Sequence, residues 1–590
     1  MKKRIVAMGL GICMLIGVLG GCGQSKVQDL VSTSDGGAGN GYSDSYDSGY
    51  SGGIKTEQSE PSSEADVAYP AENNGYTNSM AYDTDAATKN MDDGYDVEYE
   101  MDYGLMEDVP YEDGAQFIPG GEEYAEIVEN SFIRVQEQPL STFSADVDTA
   151  SYSNVRRMIE YAWPSWDIPK DSVRIEEMLN YFSYDYHGPR EGEPFGVNTE
   201  IASCPWNEES YLLQIGLQTE AIDFEDAPPS NLVFLIDVSG SMYDADKLPL
   251  LQQSFALLAE NLTEKDRVSI VTYAGEDEVV LTGARGNETH RIVQALNGLE
   301  ASGSTNGGAG ITTAYSIARD YFIEGGNNRI ILATDGDLNV GLTSLTELEQ
   351  LVETERRSGI FLTVLGFGTG NIKDSRMETL ADKGNGNYAY IDSLNEARKV
   401  LVEELGATIV TVAKDVKLQV EFNSDIVSEY RLIGYENRAL AAQDFIDDTK
   451  DAGEVGAGHS VTALYEVRLV RGTMQSALEQ GNIGTLHIRC KKPDGERSMQ
   501  FDYEIGRESY GRTPSNDIRF AASVAAFGMV LRESAYCGEM QLQDVLAMLE
   551  NINLGRDSYK REFVDLVRIL IENDEWYHLQ ENGDNGDMSW

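Results

Sequence analysis

Leu232-Val233-Phe234-Leu235-Ile236-Asp237-Val238-Ser239-Gly240-Ser241-Met242 is the stretch that decides the fold. An unbroken apolar run bounded by turn residues predicts a strand buried on both faces, and strands of that kind belong to parallel sheets. The run stops at Asp237, so a carboxylate and two serine hydroxyls follow where the strand leaves the sheet. In open α/β sheets, ligands bind at the carboxyl ends of the strands. Asp237, Ser239 and Ser241 bring hard oxygens into one small volume, which suits a hard divalent cation, Mg²⁺ above all. Asp and Ser are equally ordinary turn and helix-capping residues, so this stretch alone also reads as a plain turn.

Two later stretches shift that balance. Gly303-Ser304-Thr305-Asn306 is a second small-residue loop carrying a hydroxyl, and Ile330-Ile331-Leu332-Ala333-Thr334 is a second buried strand that ends in an acid, Asp335. The pattern Asp-x-Ser-x-Ser, then Thr, then Asp resembles the metal-ion-dependent adhesion site of the von Willebrand factor type A (VWA) family. All of its positions match: Asp237, Ser239, Ser241, Thr305 and Asp335. The resemblance implies a Rossmann-like, doubly wound, mostly parallel sheet. It also implies Ser239, Ser241 and Thr305 as direct ligands, with Asp237 and Asp335 acting partly through water. The cation would be Mg²⁺ or another divalent ion such as Mn²⁺ or Ca²⁺. Few direct carboxylates leave such an ion electrophilic, so an open coordination position would take an acidic side chain of a protein partner.

Around this core, residues 231–406 alternate apolar strand candidates with amphipathic helical runs, the pattern of a parallel sheet with helices on both faces. Glu278–Leu281 follows the preceding strand after a short Gly-containing link and is expected as an antiparallel edge. Gly366-Phe367-Gly368-Thr369-Gly370 looks like a dinucleotide loop, but Asn371 stands where the third glycine belongs. Neither Asp83-x-Asp85 nor Asp335-Gly336-Asp337 continues into an EF-hand, because Thr88 and Val340 replace the required glycine.

Residues 131–230 read as an α+β segment: a strand near Thr142–Val147, helices over Ser151–Tyr161 and Asp171–Phe182, and strands at Ile201 and Tyr211–Leu217. Residues 407–590 read as β-rich and then helical, with strands at Val416–Phe422, Val461–Val470, Ile483–Arg489 and Met499–Tyr503. Helices follow over Asn516–Glu533, Gln541–Asn551 and Ser558–Asn573. Both flanks resemble the segments that accompany the VWA domain in a group of bacterial surface lipoproteins.

The amino terminus adds a location. Lys2-Lys3-Arg4 precedes an apolar run too short to span a bilayer comfortably, and the run ends in Leu19-Gly20-Gly21-Cys22. This resembles a lipoprotein signal peptide over residues 1–21, with lipid on Cys22; an ordinary secretory leader or an uncleaved anchor are the alternatives. The expected location is the extracytoplasmic face of the cell membrane, held there by the lipid. Residues 22–130, rich in Gly, Ser, Asp, Glu and Tyr, are expected to form a disordered acidic tether, since they cannot bury enough apolar surface to offset chain entropy. Its regularly spaced tyrosines could instead act as adhesive stickers.

Composition then narrows function. Acidic residues number 100 against 45 basic ones, a formal charge of −55, which disfavours nucleic acid because phosphate contacts need Lys and Arg. No Cys-x-x-Cys pair is present, and of Cys204, Cys490 and Cys537 at most two could pair. None of the five histidines is close in sequence to the metal motif, and no Gly-x-Ser-x-Gly elbow exists. The sequence therefore points to a binding module with no catalytic residues. A hydrolase using metal-bound water and a scaffold whose metal only tightens loops are the other readings.

Overall fold

The computed structural model describes residues 121–583 except 146–147, 223–226, 304–309, 337–344, 405–409, 451, 472–480, 494, 496 and 511–512. The stretch expected as a signal peptide, Cys22, the expected tether up to residue 120, the Asp83–Thr88 stretch and Thr305 lie outside the described residues.

In chain order, β1 (Ile133–Arg134), β2 (Leu140–Ser144), α1 (Ala150–Glu160), α2 (Ile175–Asn180), β3 (Gly196–Ser203) and β4 (Ser210–Gln218) come first. The central domain follows with β5 (Ser230–Asp237), α3 (Leu248–Glu260), β6 (Arg267–Tyr273), β7 (Asp277–Arg285), α4 (Thr289–Asn297) and α5 (Gly310–Asp320). It continues with β8 (Asn327–Thr334), α6 (Leu345–Arg356), β9 (Ile360–Phe367), α7 (Asp374–Lys383), β10 (Tyr388–Ile391) and α8 (Leu394–Arg398), which runs on into a π turn at Lys399–Glu403. The chain then forms β11 (Thr411–Phe422), β12 (Val427–Ile433), β13 (Ala439–Leu440), β14 (Val455–Gly456), β15 (Ser460–Leu469), β16 (Gly484–Lys491) and β17 (Ser498–Ile505). Helices α9 (Asn516–Leu531), α10 (Leu542–Glu550) and α11 (Ser558–Gly583) complete it.

The central sheet has the order β10-β9-β8-β5-β6-β7, with β7 the antiparallel edge and the other pairs parallel. Every residue of β5 is buried, and its side chains alternate between two cores. Leu232, Phe234 and Ile236 pack with α3 and α4, while Val233 and Leu235 pack with α5 and α6. This two-sided burial is why the strand is a continuous apolar run. From β5 the chain winds outward through β6 to one side, then returns to start β8 on the other. The sheet's switch point therefore lies between β5 and β8, whose carboxyl ends carry Asp237 and Asp335.

The flanking segments interleave. One sheet runs β1-β12-β15-β4-β3 and the other β13-β2-β11-β16-β17, so each sheet combines strands from before and after the central domain. β2 pairs with β11 and β4 with β15, antiparallel in each case. The sheets enclose a core that includes Phe143, Leu213, Leu418, Val420, Tyr430, Tyr465, Leu486 and Ile488. The outer face of the first sheet is covered by α1, α2, α9, α10 and α11 around a second core, where Leu212 and Leu464 meet Met178, Phe527 and Phe563. The N-terminal segment at 131–230 and the C-terminal region at 407–590 thus share one sandwich, and the central domain is inserted between β4 and β11.

Two boundaries differ from the sequence reading. The expected tether to Asn130 ends earlier. Tyr124 is buried and hydrogen-bonds through its hydroxyl with Glu122 and Asn154, Ile127 N donates to Asp171, and Asn130 Nδ2 donates to the carbonyls of Leu432 and Gly434. Glu-rich composition hides this packing because each buried polar group has a partner. The helix expected over Asp171–Phe182 is a 3₁₀ turn at Lys170–Ser172 and then α2, since Arg174 between them is extended. Cys204, Cys490 and Cys537 are buried free thiols.

Glu176 of α2 is 2 % exposed, and one of its oxygens has no hydrogen-bond partner among the described residues. Burial, then the like charges of Glu436 and Glu177, pushes its carboxyl up to about 8 from an ordinary 4.5. The folded chain then holds a proton that the unfolded chain releases, so this stabilisation is full below about 4.5 and is lost as pH rises through about 8. Glu176→Gln is expected to stabilise the chain by roughly 2–4 kcal/mol at pH 9 and hardly at all at pH 4.5. Urea midpoints at the two pH values measure this; an equal shift at both would contradict it.

Candidate metal centre

Asp237 closes β5, fully buried, and pairs in register with Tyr273 at the end of β6. Its Oδ1 accepts from the backbone N of Ser239 at 2.9 Å, so the carboxylate turns back over the loop it opens. Oδ2 lies 3.4 Å from the hydroxyl of Thr334, the last residue of β8. The loop is a 3₁₀ turn at Gly240–Tyr243, pinned by Met242, whose side chain is buried in the core with Phe234 and Leu251. That anchor sets the buried Ser239 and the half-buried Ser241 side by side, with hydroxyl oxygens 3.0 Å apart.

Asp335 follows β8 and is also buried. The chain must turn sharply after it: Gly336 has φ +108°, and a Cβ there would lie 2.1 Å from the Asn371 carbonyl oxygen. Only glycine accommodates both. Thr305 lies outside the described residues, but its loop is tied to the first one. Ser302 N donates to Val238 O at 2.8 Å, and Gly240 N donates to Gly303 O at 3.2 Å. Of the expected ligands the structure brings together Asp237, Ser239, Ser241 and Asp335.

A residue outside the sequence pattern completes the site. Lys247 precedes the first residue of α3, and its Nζ donates to Asp335 Oδ2 at 3.0 Å, with the two side chains 6 % and 0 % exposed. Its stem lies against Gly368, where a Cβ would sit 2.3 Å from Lys247 Cγ, and the Tyr390 hydroxyl holds the Gly368 carbonyl at 2.8 Å. The glycine-rich stretch at 366–370 is thus a bed for a lysine. A signal was available: a cation at a helix N-terminus runs against the helix dipole unless it serves an anion.

The donor set fits a hard dication. Two carboxylates and two hydroxyls converge at the switch point, and the Lys247 ammonium contacts one of the carboxylates. Burial, aided by the like charge of Asp335, pushes the Asp237 carboxyl up to about 6 from 3.8, as expected where anions outnumber cations. Among the described residues no cluster of three or more His, Cys, Asp or Glu side chains is arranged to hold a metal.

Residues 231–404 match the von Willebrand factor type A domain, residues 118–214 match a segment described as von Willebrand factor, and residues 407–572 match the YfbK C-terminal domain. The chain is 41 % identical over 473 residues to the uncharacterized protein YfbK of Escherichia coli K12, covering 76 % of this chain and 81 % of that protein. The chain belongs to the YfbK family of VWA-domain proteins. Outside that family, human inter-alpha-trypsin inhibitor heavy chain H3 is 28 % identical over 169 residues, 27 % of this chain and 18 % of its own length. Among solved structures, a von Willebrand factor type A protein from Catenulispora acidiphila superposes with a TM-score of 0.39 and 14 % identity, covering 66 % of this chain and 91 % of its own. In this family member the VWA domain spans β5 to α8, and the YfbK C-terminal domain supplies β11 to β17 and the closing helices.

Proposed function

We propose that this chain is a cell-surface binding protein, anchored through lipid on Cys22, whose VWA domain recognises a protein partner through a divalent cation. The cation, Mg²⁺ or a similar ion, would be held by Asp237, Ser239, Ser241, Thr305 and Asp335, and would offer an open position to an acidic side chain of the partner. The observation that carries this reading is the convergence of two buried carboxylates and two hydroxyls at the carboxyl ends of adjacent parallel strands. Such a cation supplies Lewis acidity toward a carboxylate. Asp237 orients the serine loop through its bond to Ser239 N, Met242 anchors that loop, and Gly336 turns the chain so that Asp335 faces it.

Recognition is favoured over a loop-tightening role for the metal. The bonds from Ser302 N to Val238 O and from Gly240 N to Gly303 O hold the two loops together directly, leaving a cation little structural work.

The test is capture from native membranes. In Mg²⁺ the full chain is expected to retain a partner that EDTA releases and that Asp237→Ala never retains, and Cys22→Ser should move the chain out of the membrane fraction. Association should speed up with NaCl at fixed Mg²⁺, because salt screens repulsion between two acidic proteins over about 8 Å while the coordination bond is short. A partner drawn to the acidic tether would instead associate more slowly as salt rises. Capture indifferent to EDTA, with association slowed by salt, would contradict the proposal.

A further inference from the structure

Lys247 is placed too deliberately to be a bystander. Its side chain is 6 % exposed, its ammonium sits 3.0 Å from Asp335 Oδ2, and Gly368 at φ +71° leaves room for its stem where any Cβ would collide. It stands ahead of the first turn of α3, with Pro249 at the helix's second position, where a positive charge opposes the dipole. Burying an ammonium is unfavourable unless it is paired, and the partner it reaches is one of the two buried carboxylates at the switch point. Among the described residues that meet at the two strand ends, the charges are −1 for Asp237, −1 for Asp335 and +1 for Lys247.

We propose that Lys247 is a fixed counter-cation of the metal centre, one that weakens divalent-ion binding and in exchange leaves the loaded centre with a net positive charge for an acidic ligand. This rests on the metal-centre reading above and adds a direction to it. Without Lys247 a dication would only neutralise the two aspartates, and the centre would hold no excess charge to attract a carboxylate. With Lys247 the loaded centre carries +1. The same ammonium repels the incoming ion, and like charges sharing one partly desolvated site repel far more strongly than they would in water. Metal affinity and ligand affinity are thereby set against each other by one side chain. Lys247 would also stabilise the metal-free domain, since it neutralises Asp335 when no ion is present.

The experiment uses the full chain stripped with EDTA, titrated calorimetrically with MgCl₂, as wild type, Lys247→Met and Lys247→Arg. Lys247→Met keeps the length and removes the charge, and is expected to bind Mg²⁺ at least ~10-fold more tightly. Lys247→Arg keeps the charge and should return affinity toward wild type. A second readout is thermal: metal-free Lys247→Met should melt below wild type, and Mg²⁺ should raise its midpoint by more than it raises the wild-type midpoint. Should Lys247→Met fail to fold, Lys247→Gln serves in the same comparison. If wild type binds Mg²⁺ and the neutral variant binds it equally or more weakly, Lys247 only orients Asp335 and the proposal is wrong. If the neutral variant binds where wild type does not, Lys247 excludes the ion instead of charging a loaded centre, and the proposal is wrong. If neither binds, the metal-centre reading itself fails and this inference falls with it.

Discussion

Asp237→Ala is expected to weaken Mg²⁺ binding by at least ~100-fold and to leave the chain folded. Asp237 is one of two carboxylates at the switch point, so its loss halves the anionic charge available to a dication and removes the acceptor that orients Ser239 N. The folded state loses no apolar packing. It also sheds a buried carboxylate that its surroundings already push up to about 6. The metal-free variant should therefore melt at or above the wild-type temperature. The difference appears on adding Mg²⁺: an ion at 100 times its dissociation constant stabilises the native state by about 2.7 kcal/mol, and the variant should gain none of that. Asp335→Ala also loses the ion but melts lower, because it takes the carboxylate away from the buried ammonium of Lys247. Differential scanning calorimetry with EDTA and with MgCl₂ separates the two behaviours. A wild-type Mg²⁺ shift in Asp237→Ala would remove the basis for the site.

Arg156→Met is expected to destabilise the chain by roughly 3–5 kcal/mol near pH 8. Arg156 lies on α1, 4 % exposed, and joins three parts of the fold. It binds Asp392 bidentately at 2.6 and 2.7 Å and Glu396 of α8 at 2.7 Å, reaches Glu562 of α11 at 2.7 Å, and donates to the Tyr181 hydroxyl at 3.0 Å. Burial pushes Asp392 up to about 6 even with Arg156 beside it. Without the guanidinium, Asp392 and Glu396 are buried acids with their principal cation gone, and the Asp392 carboxyl is pushed up further. A raised folded value means that stability is present at low pH and lost as pH rises through that value. The deficit should thus be largest near pH 8 and shrink near pH 5, where Asp392 takes up a proton. Urea unfolding at the two pH values checks this, and a deficit below 1 kcal/mol at pH 8 would contradict it.

The parts of the fold legible in the sequence are those whose signal is local. β5 and β8 are buried on both faces, so they stand out as unbroken apolar runs, and the acid that ends each marks the sheet edge. The helices between them are legible from an equally local signal, the amphipathic runs that alternate with the strands. The sandwich was not legible as one body because strand pairing is long-range: nothing in Leu140–Ser144 says that its neighbour in the sheet is Thr411–Phe422. α1 misleads in another way. Its sequence is polar, yet all but its last residue are buried, because Arg156 and Arg157 find carboxylates contributed by distant segments. Glu122 to Asn130 reads as tether for a related reason, since its buried acid is matched by Arg157. At the switch point Asp237, Ser239, Ser241 and Asp335 lie together, since the first three share one loop and Asp335 directly follows the neighbouring strand. Lys247 was not anticipated because its partner, Asp335, is 88 residues away.

The most direct measurement is a calorimetric titration of MgCl₂ into the EDTA-stripped full chain, repeated with Asp237→Ala. One saturable site in the wild-type chain, absent in the variant, is the predicted result. No saturable heat in the wild type, or the same heat in both, would contradict the account.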